Sequence, residues 1–144
     1  MIRFTFALPV LLAAFSAHGA QSTNGGAWPV KSIRFIVPFP GGSASDAAAR
    51  VVAVKLGDAL GQQVVVDNRA GASGNIGVEL GARAAPDGYT LTLGTTSTHA
   101  VAPNVNSDLT YDPVKDFAPI SLISISPYVL AVHPAVAAAN LKEF

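Results

Sequence analysis

The stretch V-P-F-P-G-G-S-A-S-D-A-A-A-R, Val37 to Arg50, passes from a strand-like run through a glycine- and serine-rich loop into a helix-like run. Ahead of it, I-R-F-I-V-P-F, Ile33 to Phe39, has strand length and is rich in β-branched and aromatic residues. Pro38 and Pro40 end that run. Behind it, Ala44 to Leu60 changes period: Ala48, Val52, Leu56 and Ala59 recur three or four apart, as on one helical face. Ser43 or Ser45 can cap this helix, Asp46 falls in its first turn, and Gly61 stops it.

The same pattern recurs downstream. Gln63 to Asp67, with V-V-V at its centre, reads as a second strand. It runs into V-D-N-R-A-G-A-S-G-N-I-G, Val66 to Gly77, and then a helix from Asn75 to Ala85, weakened by Gly77 and Gly81 and stopped by Pro86. Asp87-Gly88 is a turn signal. Y-T-L-T-L-G, Tyr89 to Gly94, alternates as a third strand, followed by a polar loop, Thr95 to His99, and a short helix from Ala100 to Val105. Three β-loop-α units predict a parallel α/β sheet with helices on its faces and ligands at the carboxyl edge of its strands. Beyond them, Asn106 to Asp116 is turn-rich, and Ile120 to Val132 is expected to form a strand, a bend at Pro127 and another strand. Leu141 to Phe144 reads as the start of a helix.

Half of the 144 residues are apolar, enough for one compact core, and only 12% are charged, about half the usual share. The formal charge is zero with no basic stripe, which argues against a nucleic-acid partner. The first twenty residues have the layout of a signal peptide: Arg3, an apolar run from Phe4 to Phe15, then small residues at Ser16, Ala17, Gly19 and Ala20. That run is too short to span a bilayer. Gln21 to Ala27 reads as a flexible linker. The chain lacks cysteine, so an exported protein of this sequence relies on its core and not on disulfides.

Chemistry is sparse. G-A-S-G-N-I-G is not the dinucleotide pattern G-x-G-x-x-G, and no acidic residue ends a strand about twenty residues later. The loops have no G-K-[ST], and G-G-S-A-S around Ser43 lacks the last glycine of a nucleophile elbow. A secreted serine hydrolase built on Ser43 with His99 or His133 is the enzymatic alternative. The acidic residues have no metal-site spacing, and Asp108 to Pro113 reads as a solvated turn, so neither a metal nor a cofactor is expected. Anion binding remains. Backbone N–H groups at helix N-termini, the hydroxyls of Ser43, Ser73, Thr95, Thr96 and Ser97, and the Asn75 amide can hold a carboxylate. Arg69 either faces this site or pairs with Asp67; an ionised Asp46 would cap N–H groups, orient its loop, or accept from a ligand ammonium.

At these residues the chain resembles the Bug-type periplasmic binding proteins, the substrate-binding components of tripartite tricarboxylate transporters. The resemblance runs from W-P-V-K-S-I-R-F-I-V-P-F at Trp28 to Phe39 through P-F-x-x-G-[GS]-x-x-D-x-x-A-R, matched by Pro38, Phe39, Gly42, Ser43, Asp46, Ala49 and Arg50. It continues through [ED]-N-R-x-G-A-x-G-x-[IL]-G at Asp67 to Gly77, P-D-G-Y-T-L at Pro86 to Leu91, the G-T-T-S-T-H loop, and Y-D-P-V-K-D-F-A-P-I-S-L at Tyr111 to Leu122. Six motifs in order are far more specific than any one of them. The resemblance implies a type II periplasmic binding-protein fold and capture of a small carboxylate for uptake without catalysis. It also implies a monomer that hands ligand to the membrane components of the transporter.

The implied ligand-binding residues are Phe39, Gly42, Ser43 and Asp46 from the first loop, Ala72, Ser73, Gly74 and Asn75 from the second, and Thr95, Thr96 and Ser97 from the third. Members of the family are about twice as long, with two lobes around a cleft. Residues 28–125 are then expected to be most of the first α/β lobe, and 126–144 the crossover and start of a second. On that expectation the chain is a fragment, a truncated product or a remnant without function, lacking the cleft's other wall.

Overall fold

The computed structural model describes residues 28–127, 129–138 and 140–144. The expected signal peptide and the linker to Ala27 lie outside the described residues. Three strands, β1 (Ile33–Val37), β2 (Val64–Asn68) and β3 (Thr90–Thr92), form a parallel sheet in the order β2-β1-β3. Phe35 is in register with Val66 on one side and Leu91 on the other. β1 is buried almost throughout because it is central and covered on both faces.

The first helix, α1, runs from Ala44 to Leu60, as its sequence predicts. Ser43 is its N-cap, with Oγ accepting from the Asp46 N–H, and Gly61 closes it at φ 65°. Its most buried apolar residues are Ala49 and Ala53, one position off the expected stripe, and Ala59 is exposed. Those small side chains pack against Phe35, Val37 and Leu93. The second helix, α2 (Asn75–Ala82), covers the opposite face, where Ile36 is in register with Thr92. Its glycines are there for proximity. A Cβ on Gly77 would lie 2.6 Å from Arg69 O and 2.8 Å from Pro38 Cα, and one on Gly81 would lie 2.0 Å from Thr92 Oγ1.

The chain leaves β1 first toward β2 and then returns past it to β3. This order puts a topological switch between β1 and β3, at the strand ends where open α/β sheets bind ligands. After β3, a π-helical turn at Ser97–Val101 leads directly into α3 (Ala102–Val105), so the expected helix starts three residues early. β1 stops at Val37, ahead of Pro38, and α2 stops at Ala82, three residues short of the expected end.

The two strands expected between Ile120 and Val132 do not form among the described residues. The run has strand-like composition, but a strand needs a neighbour for its backbone groups, and here Ile120 and Ile125 are about 80% exposed. Leu141 to Phe144 forms a hydrogen-bonded turn in place of the expected helix start, with Glu143 N–H on Asn140 O at 3.1 Å. No helix among the described residues is long and apolar enough to cross a membrane.

Candidate functional site

The first loop is organised around a buried carboxylate. Asp46 is 3% exposed. Its Oδ2 accepts from the Gly42 N–H at 2.8 Å and Arg50 Nε at 3.0 Å, and its Oδ1 from Asn68 Nδ2 at 2.9 Å. The Arg50 hydrogen bond, followed by those from Gly42 and Asn68, holds its carboxyl far below the usual range. Asn68 also donates to Phe39 O at 3.0 Å and accepts from Arg50 at 3.2 Å. The end of β2 is thus laced to the loop after β1. Asp46 is committed to this lacing, and so is the Gly42 N–H.

The second loop carries four consecutive residues at positive φ: Gly71 at 136°, Ala72 at 46°, Ser73 at 58° and Gly74 at 98°. Two of them bear side chains in the left-handed region, a strain of order 1–3 kcal/mol each that surrounding structure must sustain. Gly74 shows what sustains it. A Cβ there would lie 2.7 Å from Thr98 Cγ2, 3.3 Å from the Phe39 ring and 3.4 Å from Pro38 O, so the three loops converge on its bare Cα. Ala72 and Ser73 stay exposed at the entrance to α2. Arg69 takes the second of its two expected places: its Nε donates to Asp67 Oδ1 at 2.9 Å. Burial raises the Asp67 pKa, but the hydrogen bonds from Arg34 and Arg69 outweigh that and leave it lowered.

Thr98 is the hub of the third loop and is fully buried. Its Oγ1 accepts from the Thr95 N–H at 3.1 Å, the backward half of a capping box, and lies 2.9 Å from His99 Nδ1 and 3.2 Å from Thr95 Oγ1. Thr95 Oγ1 is in turn 3.0 Å from Ser97 Oγ. Thr96 is exposed. Burial lowers the His99 pKa, favouring the neutral ring. Behind it, Tyr111 is 5% exposed; its hydroxyl donates to Thr98 O at 2.7 Å and lies 3.0 Å from Asn75 Oδ1. Phe117 completes the aromatic group, 5.1 Å from the His99 ring centroid.

All eleven residues singled out in the sequence therefore lie at one edge of the sheet. Gly74 sits between Phe39 and the third loop's Thr98, and Asn75 is linked to Thr98 through Tyr111. Gly42 and Ser43 are tied in through Asp46 and Asn68. Three organising residues escape a reading for anion donors: Asn68, Thr98 and Tyr111. Thr98 had a local signal, the T-x-x-T spacing from Thr95. Asn68 and Tyr111 had no local spacing signal, since their partners are 22 and 36 residues away. No cluster of metal-ligating side chains occurs among the described residues.

Residues 48–144 match the model of the tripartite tricarboxylate transporter family receptor. The chain belongs to this family. A curated member, Protein BugT of Bordetella pertussis, is 39% identical over 135 residues, which are 93% of this chain and 41% of BugT. Among solved structures, MatC of Rhodopseudomonas palustris with bound malate superposes with a TM-score of 0.64 at 38% identity, over 66% of this chain and 32% of MatC. An R. palustris protein solved with adipate gives 0.58 at 41% identity, over 60% of this chain and 29% of its own. Another similar structure is named as the periplasmic binding protein BugD. The family is one of periplasmic binding receptors, and the present chain spans about 41% of the length of the first curated relatives it matches.

Proposed function

We propose that this chain supplies one wall of the solute site in a periplasmic receptor that captures a small organic carboxylate and delivers it to a tripartite transporter. The observation that carries the reading is the meeting of three loops at Gly74, at the ligand-binding edge of the sheet. Relatives at 38% and 41% identity hold malate and adipate. In this reading the Ser43, Ser73, Thr95, Thr96 and Ser97 hydroxyls, the N–H groups of Ala72 and Ser73, and the Asn75 amide hold the carboxylate, in part through water. Phe39 lines the pocket, and Gly42 and Asp46 shape the first loop. Residues 1–20 direct export, residues 28–125 form the first lobe, and residues 126–144 lead toward a second. The receptor works as a monomer with the transporter's membrane components as partners.

Binding without catalysis is favoured over hydrolysis by the bonds already made. Ser43 Oγ caps α1 by accepting from the Asp46 N–H, and His99 Nδ1 is bonded to Thr98 and not to Ser43. The test is an amide NMR titration of the chain with millimolar malate and adipate. Shifts are expected at Ser43, Ser73, Asn75 and Thr95 to Ser97. Silence there, with shifts on adding ATP or glucose, would refute the reading.

A further inference from the structure

β2 is an edge strand, and a groove runs between its free edge and α1. Ile33 N–H donates to Gln63 O at 2.9 Å and Arg69 N–H to Val37 O at 2.8 Å, which fixes the parity of the ladder. Val65 and Asp67 turn their backbone groups toward β1. Val64 and Val66 turn theirs outward, where no strand among the described residues receives them. A valine-rich strand with an open edge is a template for another strand.

The flank of α1 beside this edge carries Arg50, Val54 and Asp58, four residues apart and therefore on one stripe. Val54 is 62% exposed. Asp58 is exposed and has no hydrogen bond or ion pair among the described residues. Arg50 gives Nε to Asp46 and Nη2 to Asn68, which leaves Nη1 over. The stripe is positive at one end, apolar in the middle and negative at the other, so it complements a copy of itself running the other way. Gly57 sets its height against the strand: a Cβ there would lie 3.1 Å from Gln62 O and 3.7 Å from Val64 N. At about 1.5 Å per helical residue and about 3.3 Å per strand residue, Val54 then stands level with Val65.

We propose that this face joins two copies of the chain about a two-fold axis through Val54 and Val65. The two β2 strands run antiparallel, Val64 of each exchanging hydrogen bonds with Val66 of the other, and two three-stranded sheets become one. Arg50 of each copy meets Asp58 of the other, and the two Val54 side chains close the centre. No like charges are opposed along β2: the axis sets Asp67 against Gln63 and Asn68 against Gln62. The ligand edges of the two copies face opposite ways, so each chain still captures solute on its own, as in the monomeric receptor above.

The test is sedimentation velocity of the full chain from micromolar to millimolar concentration. A species of twice the chain mass is expected to grow with concentration; a monomer throughout overturns the proposal. Asp58→Arg sets arginine against arginine twice, and Val54→Lys places two ammonium groups on the axis. Each should weaken the dimer about tenfold. Ala59→Lys, exposed on the other flank of α1, should leave it unchanged. A dimer that survives both interface substitutions uses another face, and equal weakening by Ala59→Lys means that added charge alone is responsible; either result refutes the pairing. Should a variant fail to fold, amide exchange on wild type decides. The Val64 and Val66 N–H groups should slow about tenfold from dilute to concentrated sample, while Val65 and Asp67, bonded to β1 in either state, change less. No change at Val64 and Val66, or the same change at all four, overturns the proposal.

Discussion

Asp46 is a charged side chain in a place where charge is costly, and its three donors explain why it stays ionised. Gly42 N–H, Arg50 and Asn68 all give it hydrogen bonds, so its negative charge is solvated by protein. Folding lowers its pKa, so its stabilising contribution is complete above the unfolded value of about 4 and is lost as pH falls toward the folded one. Asp46→Asn should melt lower than wild type at pH 7, and the gap should close as the buffer is taken below about pH 4. Thermal melts across that window check this; a gap independent of pH would show that the charge does not hold the loop. Asp112 is lowered too, to about 2, by the Lys115 and Val114 N–H groups, but it is present in both proteins and cancels in the comparison.

At the scale of elements, α2 decides whether the site assembles. The helix has no side-chain cap, and its N-terminus is placed by Gly74 at φ 98° and by the contact of Gly77 with backbone on two loops. Backbone cannot move aside as a flexible side chain does. Gly77→Ala should therefore cost about 2 kcal/mol of stability, against the small gain that alanine gives in an unconstrained helix. Denaturant unfolding measures it, and a stabilised variant would mean that α2 does not sit against Pro38 and Arg69. The sequence shows Gly77 and Gly81 and suggests a weakened helix. That they admit neighbours is invisible until Pro38, Arg69 and Thr92 are brought beside them.

Across the whole molecule, protection should follow the sheet. β1 is hydrogen-bonded on both sides, and Ile33, Ile36 and Val37 are all but inaccessible, whereas the run from Ile120 to Ile125 is largely exposed. Hydrogen exchange is expected to be slowest in β1 and fast from Ser121 to Ile125. Slow exchange in that run would reveal strand pairing of the kind its composition suggests.

The positions of the strands, the extent of α1 and the three ligand-edge loops were legible in the residues because each depends on neighbours a few places away: a Ser43 cap, a Gly61 stop, a proline after β1. Family membership was legible for the same reason, as ordered local motifs. The lacing of Asn68 to Asp46, the three-loop contact at Gly74 and the approach of Tyr111 to Asn75 were not. They join residues far apart in the chain, and a hydrogen bond across such a separation has no periodicity to announce it. The composition of Ile120 to Val132 permitted strands, but a ladder forms only beside a partner, and only the folded arrangement shows whether one is there.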